Sequence, residues 1–467
     1  MSLASAVVLA FSVLVTAYFV LWNVSQFAMA GLAARQIWRY HRQRTARDRA
    51  LPTRLRTPPL VSVIVPARNE VLTIVESVRA LLALDYPARE IVVVNDGSTD
   101  NTLGILQETF HLVGAPRAFE APLKTAPVRG VYRSVDDAGL VVVDKVSAGC
   151  KADASNAGIN VASGRLVLVI DADTVLEPDA LTRAALPFLE DPAVVAVGGY
   201  VAIINGARVE GGRVVNVSMP RNWLARFQVV EYMRSFLLFR IACGAWNGVT
   251  LISGAFGLFR RDAVLDVGGY DHTAIGEDMD LTLRLQRFFR SKRRPIRIAF
   301  VPVPVCWTQG PEDWRSLREQ RSRWRRGLLQ VLWRHHRAIA NPRLGIVGLG
   351  VLPYTAFFEG LGPLLEVSGY FVTTLAFMVG LLNWSHYRVL LASSFLFGAA
   401  TTLVAVFLSD LIARRYMRGR DLAVLLLAAI LESAGFRPLN SWWGCVGTAQ
   451  AITGKSGWGH ITRRAFS

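Results

Sequence analysis

Two carboxylates stand one residue apart at the end of an apolar run, Arg165-Leu-Val-Leu-Val-Ile-Asp171-Ala-Asp173. Leu166 to Ile170 is unbroken and rich in β-branched residues, so it reads as a central strand covered on both faces. Alternate side chains of an extended chain point the same way. Asp171 and Asp173 therefore form a pair able to grip one divalent cation at the carboxyl end of the strand, where open α/β sheets bind ligands. Oxygen ligands suit Mg²⁺ or Mn²⁺, ions that commonly hold substrate phosphates. An acidic turn would explain the pair equally well if it stood alone.

It does not stand alone. Pro66-Ala67-Arg68-Asn69-Glu70 and Asn95-Asp96-Gly97-Ser98 each follow an apolar run. Gly276-Glu277-Asp278-Met279-Asp280 follows Ser253-Gly254-Ala255-Phe256-Gly257, and Gln320-Arg-Ser-Arg323-Trp324 comes last. Gln320, Arg323 and Trp324 are spaced i, i+3, i+4 and share one helix face. Arg323 offers a planar fork of donors for phosphate or sugar oxygens, and Trp324 a flat apolar face on which a pyranose can stack.

The elements that position these residues alternate. Val61–Val65, Glu90–Asn95, Val128–Arg133, Gly139–Val143, Leu166–Ile170 and Val194–Val201 read as strands, with helical stretches at 71–84 and 152–162. That pattern predicts an α/β domain over residues 59–340 with helices on both faces of its sheet. Arg221–Ile241 and Trp314–His336 are basic, aromatic-rich and amphipathic, suited either to a membrane surface or to packing on the sheet.

The remainder is apolar. The 467 residues are 52% hydrophobic yet carry a formal charge of +17, a combination that suits a membrane protein with basic flanks. Nucleic-acid binding is the competing reading of the charge; with no zinc-finger spacing and no aromatic strand motif, no nucleic-acid partner is expected. Four scattered cysteines without Cys-x-x-Cys indicate a reducing compartment. Residues 1–34 are long enough for a span, and the basic stretch 35–58 that follows reads as a cytoplasmic linker. In residues 344–436 Pro353 and Pro363 break the first apolar stretch, so we expect a short helix and a span within 344–382, then a span over 389–413 and a cytoplasmic return at 414–420. Leu422–Ile430 and Trp442–Ile452, separated by Phe436-Arg437-Pro438, look interfacial or re-entrant, and 437–467 reads as an interfacial helix plus a glycine-rich tail. Glu366 is a carboxylate inside an apolar stretch, with no partner evident in the sequence.

In this order and spacing the five motifs resemble the family 2 glycosyltransferases of GT-A fold, in particular the processive membrane synthases of cellulose, hyaluronan, chitin and poly-N-acetylglucosamine. The resemblance implies a GT-A, Rossmann-like mixed sheet facing the cytoplasm at the inner membrane. It implies a UDP-sugar donor bound by Pro66, Ala67, Arg68, Glu70, Asp96 and Lys151, with Asp171 and Asp173 holding Mg²⁺ or Mn²⁺. Asp278 would be the general base of an inverting transfer, with Glu277 and Asp280 its neighbours and rivals. Gly254, Ala255, Phe256, Glu277 and Trp324 would face a glycan acceptor, and Gln320, Arg323 and Trp324 would close the donor site. Cys150 stands where the family has a small residue. The tail resembles a loop that closes over bound nucleotide, which would give Trp458 and Arg463 donor contacts. A complete Gln-x-x-Arg-Trp motif argues for a growing β-linked chain, exported through the spans. Single transfer to a lipid acceptor is the alternative. A non-catalytic glycan-binding subunit would have lost carboxylates that this sequence keeps.

Overall fold

The computed structural model describes residues 3–54, 57–115, 119–413, 416 and 419–455. At its centre is a ten-stranded mixed sheet. Four strands, Leu140–Lys145, Arg89–Asp96, Val61–Ala67 and Leu166–Val169, lie side by side and parallel. Gly257–Arg260 joins them antiparallel, and beyond it Val194–Ile203 pairs in parallel with Arg297–Thr308. The parallel strands are apolar on both faces because both faces are covered, and Val63, Ile64, Val92, Val93, Val142 and Val167 are fully enclosed. The register sets Ala67 beside Asn95 and Asp96 beside Lys145. The motif residues that follow these strands therefore emerge along one edge of the sheet.

Among the described residues, four helices are long and apolar enough to cross a membrane: Ala10–Gln43, Val347–Met378, Tyr387–Ile412 and Gly419–Ile452. The first belongs to one helix, Leu3–Arg54, so the basic stretch expected as a linker continues the helix through Arg54. The expected division of 344–382 into a short helix and a span is also absent, since helical backbone runs from Val347 to Met378. Gly419–Ile452 is likewise one helix of 34 residues, about 50 Å long at 1.5 Å per residue, and not two short segments.

Proline chemistry explains why the sequence suggested breaks. Pro353, Pro363 and Pro438 each lie two residues past a π-helical stretch: Val347–Val351, Thr355–Leu361 and Glu432–Phe436. A proline nitrogen donates nothing, and its ring crowds the carbonyl four residues back. The wider π turn absorbs that crowding without ending the helix. At Pro363 the relief is completed from outside: the Arg325 guanidinium donates to the carbonyls of Glu359 and Gly360.

The amphipathic stretch after Arg221 forms Trp223–Arg234 followed by a π turn, Ser235–Arg240. It lies between the sheet, where Phe236 meets Tyr200, and the span helices, where Arg234 pairs with Glu432 at 2.5 Å. Val230, Leu237 and Leu238 are fully buried in this layer.

Candidate active site

On one side of the site, two loops are laced together. Asn69 turns with φ 57°, and its side-chain oxygen accepts from the Thr99 amide at 2.8 Å while its own amide donates to Ser98 Oγ at 3.0 Å. Gly97 has φ 59°, and a Cβ there would sit 2.9 Å from the Ser147 nitrogen, so glycine is required. These contacts hold Arg68 and Asp96 on the same wall of a cavity. Asp96 accepts from Lys145 Nζ at 2.8 Å and from Ser147 Oγ at 3.0 Å. Lys145 is fully enclosed and also meets Asp153 at 2.5 Å. Sequence reasoning missed Lys145. The only available signal was a charged residue closing a buried strand, which cannot be matched to Asp96 without the register.

The carboxylate pair sits where expected, but for a different reason. Asp171 to Thr174 is a tight turn, with the Thr174 amide donating to the Asp171 carbonyl at 3.1 Å, so the turn and not strand alternation brings the two together. Burial and then the charge of Asp171 push the Asp173 carboxyl up to about 7. Lys151, first residue of the helix Lys151–Val161, reaches Asp171 Oδ1 at 2.5 Å and the Gly254 carbonyl at 2.9 Å. Burial opposes its ammonium, but Asp171, Glu277 and Asp278 outweigh that and raise its pKa. Two crowded carboxylates of this kind suit a divalent cation. Among the described residues no cluster of three or more His, Cys, Asp or Glu could hold a metal alone. The pair therefore fits a cation whose remaining ligands come from phosphate and water.

Glu277, Asp278 and Asp280 open the helix Glu277–Ser291. Asp278 accepts from the Gly254 amide at 3.1 Å and the Met279 amide at 2.8 Å, which aims its carboxylate at the small-residue loop. Burial raises the Asp278 pKa. Glu277 also faces the cavity and is pushed up to about 7 by burial and by Asp278. Asp280 does not face it. It accepts from Arg284 at 2.7 Å and His335 at 2.8 Å, contacts that hold its carboxyl below the usual range against the opposing effect of burial. Ser253, Gly254 and Ala255 line the cavity, whereas Phe256, expected against the acceptor, is fully buried in the core under the sheet.

Gln320, Arg323 and Trp324 present one face of the helix Trp314–Arg334 to the cavity. Gly327 of that helix packs on Gly276, where a Cβ would come within 3.1 Å of the Gly276 nitrogen. The close approach sets the motif helix against the helix that carries Asp278. Arg321 lies with its guanidinium carbon 4.4 Å from the Trp324 ring centroid and pairs with Glu231 at 2.6 Å. Arg240, a second residue the sequence did not single out, closes the cavity beside these groups, its guanidinium 4.0 Å over Phe236. The sequence showed it only as one more base on an amphipathic helix.

The cavity is continuous, about 1840 Å³. It runs from Arg68 and Asp96 past Asp171, Asp278 and Trp324 to Glu359, Glu366 and Arg437 on the span helices. Pro66, Ala67, Glu70, Lys151 and Asp173 line it as well. Glu366 now has partners: Tyr18 Oη donates to it at 3.2 Å and Ser441 Oγ at 2.5 Å. Trp458 and Arg463 lie outside the described residues.

A mixed sheet with paired carboxylates after a central strand, and an acidic helix start facing an Arg-Trp helix, is the arrangement of a glycosyltransferase of GT-A type. The chain belongs to the family 2 glycosyltransferases: the profile of Glycosyl transferase family group 2 matches residues 166–434, and that of Glycosyl transferase family 2 matches residues 62–120. It is 30% identical over 274 residues to poly-beta-1,6-N-acetyl-D-glucosamine synthases of Staphylococcus aureus (strain COL) and Staphylococcus epidermidis. That match covers 59% of this chain and 56% of each relative, so the chain spans little more than half the length of the curated relatives it matches. A mannosyltransferase from Pyrobaculum calidifontis, solved in complex with GDP-Man and Mn²⁺, shares the fold at 20% identity with a TM-score of 0.53, over 92% of this chain and 99% of that one.

Proposed function

We propose that this protein is an inverting, membrane-embedded transferase that extends a β-linked glycan from a UDP-sugar, with N-acetylglucosamine, the sugar in the name of its relatives' polymer, the first candidate for the sugar transferred. The observation that carries this reading is the single cavity joining the Asp96 and Asp171 side, the Asp278 carboxylate, the Trp324 face and the span helices. In the reaction, Asp278 takes the proton of the acceptor hydroxyl as that oxygen attacks the anomeric carbon and UDP departs. Its two backbone donors fix the carboxylate while it does so. Asp96, held rigid by Lys145 and Ser147, accepts from the base of the nucleotide. Lys151 and Arg323 meet phosphate charge. Asp171 and Asp173 would hold Mg²⁺ or Mn²⁺, which neutralises charge on the departing diphosphate. Trp324 supports the acceptor sugar, and the cavity between the spans receives the growing chain.

The basic residues of 35–54 and Arg420 support, by the positive-inside rule, a catalytic domain on the cytoplasmic side of an inner membrane. Donor, acceptor and membrane are then the partners, and export subunits are not required by the reading. The test is product size: the purified full chain in lipid nanodiscs, given UDP-N-acetylglucosamine, UDP-glucose or GDP-mannose. Long polymer from a UDP-sugar is expected. A single sugar extracted with lipid would support single transfer and contradict chain extension.

A further inference from the structure

Trp324 is 44% exposed to the cavity, and one of its ring faces is already covered. The Arg321 guanidinium lies 4.4 Å from the ring centroid. Arg321 is 7% exposed and donates from NH2 to Glu231 Oε2 at 2.6 Å. The second Glu231 oxygen accepts from Asn440 Nδ2 at 3.1 Å. Three elements far apart in sequence thus meet beside one indole on the cavity wall, which Glu231, Arg321 and Asn440 also line: the layer under the sheet, the motif helix and the last described helix. Tyr232, next to Glu231, approaches the same ring with centroids 6.5 Å apart.

We infer that Glu231, Arg321 and Asn440 are positioning residues that hold Trp324 as a preset platform for the acceptor sugar. The inference rests on the acceptor role proposed for Trp324. A cation over an indole face is attractive and favours one ring orientation. A fixed anion holds a long arginine there against the rotamer entropy that opposes it. Glu231 is that anion, and both of its oxygens are engaged, so it cannot swing away without losing two contacts. The uncovered part of the indole is left to the cavity. Asn440 sits in the last part, Arg437–Ile452, of the helix Gly419–Ile452, which also carries Ser441 at the inner end of the cavity. The helix that lines the path of the chain therefore also sets the platform on which the chain's last sugar rests.

The experiment uses the full chain in nanodiscs with a β-1,6-linked N-acetylglucosamine pentasaccharide as probe and UDP as the control ligand. Binding of each is measured for the wild type, Glu231→Gln, Arg321→Met and Asn440→Ala. We expect pentasaccharide affinity to fall at least fivefold for Glu231→Gln and Arg321→Met, and about twofold to threefold for Asn440→Ala, which removes one neutral-donor hydrogen bond. UDP affinity stays within twofold throughout, a result that a general loss of structure would not give. Asn440→Ala leaves the ion pair in place, so it reports on the platform even where the charged variants fold poorly. Unchanged pentasaccharide binding in the variants, equal losses for UDP and pentasaccharide, or no pentasaccharide binding by the wild type would overturn the proposal. Turnover of UDP-N-acetylglucosamine by the same wild-type preparation decides the proposed reaction separately.

Discussion

The two halves of the cavity are built in different ways. The donor half is made of strand ends. Ala67, Asp96, Lys145 and Asp171 stand at or just past the carboxyl ends of four adjacent parallel strands, and backbone register alone brings them together. The acceptor half is made of helices that meet far from one another in sequence: Glu231, Trp324, Glu359 and Asn440 come from four separate helical segments. The donor half gains rigidity from enclosed charge, as in the Asp96–Lys145–Asp153 chain. The acceptor half adds to its Glu231–Arg321 pair carbonyls freed by proline and captured by arginine, as at Glu359 and Arg325. A nucleotide presents the same groups at every turnover, and a preformed strand-end cradle suits it.

The largest effects should come from the donor half. Asp173→Asn is expected to lower turnover at least about a thousandfold. UDP binding by the wild type should weaken sharply when EDTA is added, and the variant should lose that metal dependence. Full turnover in EDTA would remove the metal from the account and make the pair a structural turn. Next in size is Lys145→Met, which leaves Asp96 and Asp153 buried without their counter-charge. A loss of about 3–5 kcal/mol is the usual cost of breaking such a pair, to be read as a lower melting temperature in detergent. An unchanged melting temperature would mean that the donor half does not depend on enclosed charge.

A smaller effect sharpens the comparison at its seam. Asp278 must be ionised to accept a proton, and burial raises its pKa, so activity should be lost as pH falls through that raised value. Glu277 stands beside it with a carboxyl pushed up to about 7. The Asp278 charge is one of the causes that lift Glu277, so Asp278 ionises first and Glu277 is still neutral as it does. Glu277→Gln should therefore leave the acid limb of the pH–rate profile in place. A shift of that limb in Glu277→Gln would assign it to Glu277.

How much of this was legible in the sequence follows the same division. Asp171, Asp173 and Asp96 were readable because each closes an apolar run, and a strand end is a local feature. Even there the reason given for the pairing of Asp171 with Asp173 was wrong, because a turn, not alternation, joins them. Lys145 was hidden because its partner lies in another strand. Phe256 was misread because its glycine and alanine neighbours do face the cavity, and a loop gives no period from which to tell in from out. Pro353, Pro363 and Pro438 were read as breaks because proline usually ends a helix, and π turns leave no signature in sequence. Arg240, Glu231 and Arg321 looked like ordinary charges on amphipathic helices, since their meaning depends on which helix each one faces.

The central claim is that the two halves meet at the Asp278 carboxylate. Asp278→Asn tests it most directly, with UDP binding, pentasaccharide binding and turnover measured on one preparation. The account predicts that both ligands bind within about twofold of the wild type while turnover falls by about 10²–10⁴, the range removed with a general base. Substantial turnover by Asp278→Asn, with Glu277→Gln inactive, would contradict it and make Glu277 the base.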